Sequence, residues 1–277
     1  MSGDARITPL RDGLASRALE GLEPAERYVD PQPRAAIVPA AALRQSPDLG
    51  AEQLDQVLFG ERFDVLDEAD GFAWGQARRD GHVGYVALAD LGDPPAAPTH
   101  RVAAARTYAF ARPDIKSLAA GPFSTNVLLT EEARDGRFVK AAGSGWFVAE
   151  HLAPVGAFET DFVAVAERSL GAAYLWGGRE SCGLDCSGLV QQALLACGRA
   201  CPRDTDQQAK MGREVEPGEA RRGDLVFWPG HVGIVLEGGR LLHANAHHMA
   251  VAIEPLAAAI ERIRAAGSGD PIAYRRL

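Results

Sequence analysis

The segment that decides the fold of the C-terminal half is residues 185–198, which read DCSGLVQQALLACG. Apolar side chains recur at helical spacing from Leu189 to Cys197, and Gly198 is a typical helix stop, so the pattern predicts one helix. Cys186 then lies at the helix N-terminus, where backbone amides carry partial positive charge. Such a position favours a thiolate and can hold an oxyanion, and we therefore expect Cys186 to be a nucleophile.

A thiol nucleophile needs a base, and the candidates are histidines on two neighbouring predicted strands. His231 opens one strand and His243 lies on the next. A two-residue loop between the strands would place the imidazoles on opposite faces, whereas a three-residue loop over 237–239 places them on one face as diagonal neighbours. We expect the three-residue loop. His243 and Asn245, which would lie opposite His231, are two candidates for orienting the base.

The pattern after residue 160 predicts an α+β domain, with helices first and an antiparallel sheet after them. Thr160 is the expected cap of a first helix that ends at Gly171. The other expected elements are strands over 224–228, 231–236, 240–246 and 272–274, and a helix over 255–266.

The N-terminal half contains an internal repeat at an offset of 61 residues, in which three positions recur: Gly84 as Gly145, Tyr85 as Trp146, and Leu91 as Leu152. Short alternating strands with Gly-rich and Asp-rich turns predict two small β-barrels. We expect four regions in the whole chain: an N-terminal arm over 1–30 with a short helix from Leu14 to Leu22, barrels over 31–95 and 96–156, and the α+β domain over 157–277.

Composition argues against several classes of binding partner. The chain has 29 basic and 37 acidic residues and a net charge of -8, which argues against binding to nucleic acid. The N-terminus shows no apolar core of a secretory signal, and no segment has the apolar length of a membrane helix. We therefore expect a cytoplasmic protein without a membrane partner. Four cysteines lie between Cys182 and Cys201, with spacings that fit zinc poorly, and we expect no metal and no cofactor.

Several segments, in this order and spacing, resemble the NlpC family of papain-like peptidoglycan endopeptidases. They are YLWGG at 174–178, DCSGLV at 185–190, PRD at 202–204 with Gln208, GDLVFW at 223–228, HVGI at 231–234 and HA at 243–244. The resemblance implies a papain-like α+β catalytic domain. It also implies that Cys186 is the nucleophile, His231 the base and His243 the residue that orients the base.

The resemblance implies substrate contacts as well. Tyr174 would line the oxyanion region, and Asp185 and Ser187 would help to bind the substrate backbone and its terminal amine. Since an inward-facing carboxylate would raise the pKa of the adjacent thiol, we expect Asp185 to point elsewhere. The strand ends of the N-terminal half resemble bacterial SH3-like domains. In a subgroup of the family the first such domain closes the substrate cleft, and Glu61 and Tyr85 are our candidates for that closure.

The expected activity is hydrolysis of the bond between γ-D-glutamate and a diamino acid in peptidoglycan stem peptides. The subgroup acts on released peptides with a free N-terminal L-alanine, which implies a role in murein recycling. An exported hydrolase of intact peptidoglycan, a non-catalytic wall-binding protein and an acyl transferase are the alternatives. The preferred diamino acid and the oligomeric state stay open.

Overall fold

The chain divides into two compact units in the computed structural model, which describes residues 3–277. The first unit ends at Val155 and the second comprises Gly156–Leu277. Residues 1 and 2, the start of the expected N-terminal arm, lie outside the described residues. Over the described part of the chain, no helix has the length and apolar character needed to cross a membrane.

The first unit is built from strands. They are β1 (Leu10–Arg11), β2 (Leu14–Ser16), β3 (Arg27–Val29), β4 (Gln32–Ala36), β5 (Ala40–Arg44), β6 (Gln53–Leu58), β7 (Arg62–Ala69), β8 (Phe72–Ala77), β9 (Val83–Ala87), β10 (Leu91–Gly92), β11 (His100–Val102), β12 (Arg106–Phe110), β13 (Ala119–Ser124), β14 (Leu128–Leu129), β15 (Glu131–Asp135), β16 (Phe138–Ala141), β17 (Trp146–Val148) and β18 (Leu152–Pro154). The first barrel is one sheet in the order β10-β4-β7-β8-β9-β5-β6. The second barrel consists of the sheets β14-β11-β18 and β13-β12-β17-β16-β15.

Both barrels close with the same local structure. In the first barrel, β9 is followed by a 3-10 turn over Leu88–Asp90 and then by β10. In the second, β17 is followed by a 3-10 turn over Ala149–His151 and then by β18, so the two turns are again 61 residues apart. Phe63 belongs to the apolar core of the first barrel, and Phe147 belongs to a second core that also includes Leu58 and Phe59. The predicted pair of SH3-like barrels is confirmed.

The helix predicted from Leu14 to Leu22 is wrong. Leu14 belongs to β2, which pairs with β1 and β3, and a single 3-10 turn follows over Arg17–Leu19. The side chain of Leu14 is buried with Trp74 and Val83 of the first barrel. Burial of this apolar contact outweighs a helix propensity that is worth only a few tenths of a kcal/mol per residue.

The second unit mixes helices and strands. Its elements are α1 (Phe162–Glu167), β19 (Ala173–Tyr174), β20 (Arg179–Glu180), β21 (Gly183–Leu184), α2 (Cys186–Ala196), α3 (Thr205–Gln208), β22 (Arg213–Glu214), a 3-10 turn (Pro217–Glu219), β23 (Leu225–Trp228), β24 (His231–Leu236), β25 (Arg240–Asn245), β26 (Ala250–Pro255), α4 (Leu256–Ala265) and β27 (Ala273–Arg276). The strands form one sheet in the order β20-β21-β19-β26-β25-β24-β23-β27-β22. The expected α+β domain is therefore confirmed.

The central strands have two apolar faces, because successive side chains of a strand point to opposite sides. Val232 and Ile234 of β24 join the core formed with α2. Val235 of β24 and Leu241 of β25 join a second core with Ala259 of α4. The sheet is thus packed between α2 and α4, and His231 and His243 belong by alternation to the α4 face.

The helix α1 starts one residue later than predicted, and the predicted hairpin between β24 and β25 is confirmed. Asp161, not Thr160, caps α1, and its carboxylate accepts from the amide of Val163 at 3.0 Å. Thr160 is not the cap because the helix begins one residue later, with Asp161 at the capping position. In the hairpin, Leu236 pairs with Arg240, so the loop has the three residues expected.

Candidate active site

The first turn of α2 is organised around the carboxylate of Asp185. This side chain accepts from the amide of Gly188 at 2.7 Å and from the amide of Gly177 at 2.9 Å, and so caps the helix. Position 188 has no room for a side chain, because a Cβ there would lie 2.2 Å from the carbonyl oxygen of Gly178. Gly188 therefore permits close contact between the first turn of α2 and the segment that contains Gly178.

A buried arginine completes this network. Arg203 donates to both carboxylate oxygens of Asp185 and, at 2.7 Å, to the hydroxyl of Ser187. The arginine side chain is only 2% exposed. Gln208 holds the loop in place by donating to the carbonyls of Ser187 and Pro202 at 3.0 and 2.9 Å. The described contacts of Asp185 and Ser187 are internal, and their contact with substrate stays a prediction.

The sulfur of Cys186 lies beside the start of β24. Its thiol donates towards the carbonyl of Gly230 at 3.9 Å and accepts from the amide of Val232. Gly230 and Val232 flank His231 in the chain. The N-terminus of α2 and the strand that carries the predicted base therefore meet at this sulfur.

The expectation that the pKa of the Cys186 thiol is lowered is wrong. Burial raises the pKa of Cys186 to about 12, and the carboxylate of Asp185 adds to the rise. The amide of Val232, the guanidinium of Arg203 and the amide of Ser187 act in the opposite direction without overcoming it. Asp185 points into its capping network, as expected, yet its charge still reaches the sulfur. The thiol is thus neutral in the unliganded protein.

Tyr174 lies on β19 and is half-buried. Burial, together with the nearby Cys186 and Asp185, raises the pKa of its phenol to about 12, although Arg203 opposes the rise. The phenol therefore keeps its proton at neutral pH and is a hydrogen-bond donor. This is the state that a donor to an oxyanion requires.

The two predicted imidazoles are in direct contact. Nε2 of His231 lies 2.8 Å from Nδ1 of His243. Burial lowers the pKa of His231 to about 3, with His243 and Arg262 adding to the decrease and Glu254 opposing it. Burial also lowers the pKa of His243 to about 4, although Glu254 opposes the decrease. Both rings are therefore neutral at pH 7.

Asn245, the alternative orienting residue, has other partners. Its Oδ1 accepts from the backbone amide and from Nδ1 of His248, both at 2.9 Å. Of the two candidates, His243 is therefore the one in contact with His231. Its side chain instead stabilises the turn after β25.

Two residues of this network, Glu254 on β26 and Arg262 on α4, were missed in the sequence. Oε1 of Glu254 lies 2.9 Å from Nε2 of His243 and also accepts from Arg262. His243 pairs with Ala252, so Glu254 is its diagonal neighbour on the same face. Burial alone would raise the pKa of Glu254, but hydrogen bonds from Arg262 and His243 lower it below the usual value. The alternating pattern of β26 could have located Glu254 only with the register known.

A pocket of about 300 Å³ opens next to the imidazoles on the α4 side of the sheet. Its lining includes His231 and His243, His247 of the following turn, and Arg262 and Ser268. The pocket reaches the predicted base. Cys186 and Tyr174 are not among its lining residues.

Three side chains near the site have metal-binding chemistry: the ligand atoms of His243, His248 and Glu254 lie within 4.8 Å of one another. Ligand atoms about 2.0–2.1 Å from a tetrahedral zinc would lie closer together, at roughly 3.4 Å. Moreover, Arg262 places a positive charge on the same carboxylate. These contacts fit a hydrogen-bonded network better than a metal site.

Glu61 and Tyr85, the candidates for closing the cleft, have partners within the first unit. Glu61 is 2% exposed, and its carboxylate accepts from Arg79 at 2.7 Å and from the amide of Leu58 at 3.0 Å. The hydroxyl of Tyr85 accepts from Arg11, whose guanidinium also stacks over the tyrosine ring. Their role towards substrate stays a prediction.

A thiol at a helix N-terminus beside a strand that carries linked imidazoles is an arrangement that cysteine peptidases use. Comparison with known families agrees with this class. Residues 171–264 match the NlpC/P60 family, and residues 43–91 match the bacterial dipeptidyl-peptidase Sh3 domain. The chain therefore combines an NlpC/P60 cysteine peptidase domain with an SH3 domain of the bacterial dipeptidyl-peptidase type, and the family expected from the motifs is confirmed.

Relatives match over different lengths. Dipeptidyl-peptidase 6 of Lysinibacillus sphaericus is 28% identical over 237 residues, which cover 74% of this chain and 84% of that protein. Gamma-D-glutamyl-L-lysine dipeptidyl-peptidase of Bacillus subtilis is 37% identical over 92 residues, 30% of this chain and 31% of that protein. Peptidoglycan endopeptidase RipB of Mycobacterium tuberculosis is 36% identical over 108 residues, 33% of this chain and 45% of that protein. The matches thus span less than half of the latter two relatives.

Among solved structures, an NlpC/P60 family protein from Bacillus cereus matches with a TM-score of 0.75 and 19% identity. The match covers 88% of this chain and 99% of that one. At this level of identity the match shows the fold alone.

Proposed function

We propose that this protein is a cysteine endopeptidase that hydrolyses the bond between γ-D-glutamate and a diamino acid in peptidoglycan stem peptides. The observation that carries the proposal is Cys186 at the N-terminus of α2, beside the strand whose His231 is linked to His243. The choice of substrate is supported by the dipeptidyl-peptidase SH3 domain and by the relative, named dipeptidyl-peptidase 6, that matches over most of its length.

The reaction follows from the positions of these groups. The proton of the Cys186 thiol passes to His231 as the sulfur attacks the γ-carbonyl carbon of D-glutamate. The resulting oxyanion accepts hydrogen bonds from the amide of Cys186 and the hydroxyl of Tyr174. The carbon–nitrogen bond then breaks, and His231 returns its proton to the leaving amine of the diamino acid. Water, deprotonated by His231, hydrolyses the thioester, and the proton returns to the thiol.

The neutral resting states of thiol and imidazole bear on this mechanism. A pKa of about 12 for Cys186 and of about 3 for His231 disfavours a thiolate–imidazolium pair before substrate arrives. Proton transfer is therefore coupled to attack on the carbonyl. Substrate binding displaces water from the site and places the developing charge beside the donors of the oxyanion site.

The position of His231 indicates where the leaving diamino acid binds in this mechanism. Since His231 protonates its amine, the residue that follows the cleaved bond lies on the His231 side of the sulfur. The pocket lined by His231, His247 and Arg262 borders the same imidazole. We assign this pocket to the side chain of the leaving residue.

We further propose that the substrates are released peptides with a free N-terminal L-alanine, and that the enzyme works in the cytoplasm in murein recycling. The net charge of -8 supports this choice over docking on anionic wall polymers. Glu61 and Tyr85 are the proposed contributors from the first SH3-like domain to closing the cleft. An exported wall hydrolase is the competing proposal, since relatives of the catalytic domain include a peptidoglycan endopeptidase.

The test is digestion by the purified full-length protein of three substrates, each with Cys186→Ala as the control. They are L-alanyl-γ-D-glutamyl-meso-diaminopimelate, the same peptide with an acetylated N-terminus, and intact sacculi. Cleavage of the free peptide alone supports the proposal. Cleavage of sacculi or of the blocked peptide supports the wall hydrolase instead. Absence of thiol-dependent cleavage in all three assays contradicts both.

A further inference from the structure

We propose that Glu254 is a positioning residue that fixes the tautomers of both active-site imidazoles, so that His231 presents the lone pair of its Nδ1. The basis is a chain of contacts that begins outside the predicted set of catalytic residues. Glu254 Oε1 lies 2.9 Å from His243 Nε2, and His243 Nδ1 lies 2.8 Å from His231 Nε2. Each contact joins one ring nitrogen to one neighbour, so the proton positions along the chain depend on each other.

The direction of these hydrogen bonds follows from the carboxylate. An ionised carboxylate only accepts hydrogen bonds, so Nε2 of His243 must be the donor. In a neutral imidazole the other nitrogen is then an acceptor, and Nδ1 of His243 accepts from Nε2 of His231. His231 therefore carries its proton on Nε2. Nδ1 is left as the basic atom, and the proposed mechanism assigns it the proton of the Cys186 thiol.

This arrangement matters because both imidazoles are neutral at rest. A neutral imidazole has two tautomers, and the bond that one nitrogen makes decides which is present. The opposite arrangement would place a proton on Nδ1 of His231 and leave no base for the thiol. Glu254 excludes that arrangement through a single acceptor oxygen.

Arg262 keeps the carboxylate of Glu254 ionised. Its guanidinium donates to the same oxygen of Glu254 that accepts from His243, and the carboxylate side chain is only 13% exposed. The positive charge keeps Glu254 ionised, so that it does not take up a proton and become a donor. A further titratable neighbour of His243 is His248, whose ring centroid lies 6.4 Å away. The alignment therefore depends mainly on the balance between one carboxylate and one guanidinium.

The positive charge of Arg262 also predicts which tautomer His243 adopts when the carboxylate of Glu254 is removed. Arg262 and Nε2 of His243 share one oxygen of Glu254, so in Glu254→Ala we expect the guanidinium to face that nitrogen, and a guanidinium has only donors. It favours the tautomer with a lone pair on Nε2, which moves the proton of His243 to Nδ1 and reverses the bond to His231. Removing Arg262 as well, in Glu254→Ala with Arg262→Met, abolishes this reversed bias.

The first test is independent of any substrate. Two-bond 15N–1H correlation spectra of the imidazole rings, recorded at neutral pH on the full-length protein, distinguish the two neutral tautomers. Assignments come from spectra of His231→Ala and His243→Ala. We expect both rings to be protonated on Nε2 in the native protein and on Nδ1 in Glu254→Ala. Tautomers that are unchanged in Glu254→Ala would overturn the proposal, whatever the substrate of the enzyme is.

The second test is kinetic and rests on the proposed function. Loss of a hydrogen-bonded group that orients a reactive imidazole is expected to lower kcat by about 10–100-fold with little change in KM. The double variant is expected to recover part of this loss. Glu261→Gln, which alters an exposed glutamate beside Arg262 on α4, is the matched control and is expected to retain native kcat.

The outcomes separate the two proposals. If the peptide is not cleaved by the native protein, the proposed function fails, while the spectra still decide the role of Glu254. A Glu254→Ala protein with native kcat, or a double variant whose rings stay protonated on Nδ1 alone, contradicts the positioning role. If Glu254→Ala does not fold, Glu254→Gln replaces it. Because its amide can accept or donate, this variant is expected to show a mixture of tautomers, and native tautomers alone would contradict the proposal.

Discussion

Arg203 offers the sharpest perturbation of the site that does not touch the reacting groups. Its buried guanidinium donates to both oxygens of Asp185 and to Ser187. Arg203→Met keeps an apolar chain in the same space but removes the charge and these hydrogen bonds. The carboxylate of Asp185, which is 9% exposed, is then left in the interior without a cation.

The cost follows from the burial of the pair. Removing one partner of a buried ion pair typically destabilises a protein by about 3–5 kcal/mol. Asp185 keeps the amides of Gly177 and Gly188 as donors, so we expect a loss near the lower end of that range, about 3 kcal/mol. In urea this corresponds to a decrease of roughly 1–3 M in the unfolding midpoint of the second unit.

The assay uses the distribution of thiols. All four cysteines lie in the second unit, and Cys186 and Cys201 are buried and in no disulfide bond. Pulsed thiol labelling along a urea series, read by mass spectrometry, therefore reports the unfolding of this unit alone. Arg168→Met is the matched control, since Arg168 pairs with Glu159 at the surface and its loss is expected to cost less than about 1 kcal/mol. Equal midpoints for Arg203→Met and Arg168→Met would refute the reasoning.

Three further predictions concern the site. His231→Ala is expected to reduce peptide cleavage to the level of Cys186→Ala. His243→Ala is expected to keep a measurable rate, because this change removes the residue that orients the base and not the base itself. A greater loss in His243→Ala would reverse the assignment of base and orienting residue. Tyr174→Phe is expected to lower kcat by about 100-fold in the same assay, as loss of an oxyanion donor does, and an unchanged kcat would remove Tyr174 from the oxyanion site. The pKa of His243 is lowered from 6.5 to about 4 by burial, so between these values the unfolded chain binds a proton that the folded chain does not. His231, whose pKa burial lowers to about 3, adds to this effect. Stability of the second unit, followed by thiol labelling, should therefore decrease as the pH falls from 6.5 to 4, by about 3 kcal/mol for each ring, and a flat profile would contradict the burial of neutral rings.

The features predicted correctly from the sequence were the local ones. The helix of Cys186–Ala196 has a continuous apolar face and a glycine stop, and the hairpin has two glycines at its turn, with φ of +70° and +68°. The Leu236–Arg240 pairing then brings His231 and His243 onto one face without further information. The repeat of 61 residues predicted the second barrel in the same way.

The features that were missed depend on tertiary structure. Glu254 contacts His243 because of the register between β25 and β26, and Arg262 joins them because of the rotation of α4 over the sheet. Neither is visible in the pattern of a single segment. The raised pKa of Cys186 also required the structure, since the sequence indicates a helix N-terminus but not how deeply it is buried.

The central claim is that Cys186 forms a thioester with the γ-carboxyl group of D-glutamate. The most direct measurement is the intact mass of the protein after rapid acid quenching of its reaction with L-alanyl-γ-D-glutamyl-meso-diaminopimelate. Fragmentation of the digested protein then locates the modified residue. The account predicts a mass increase of one alanylglutamyl acyl group on Cys186, absent in Cys186→Ala. Cleavage of the peptide at an unchanged rate by Cys186→Ala, or an acyl group on another residue, would contradict it.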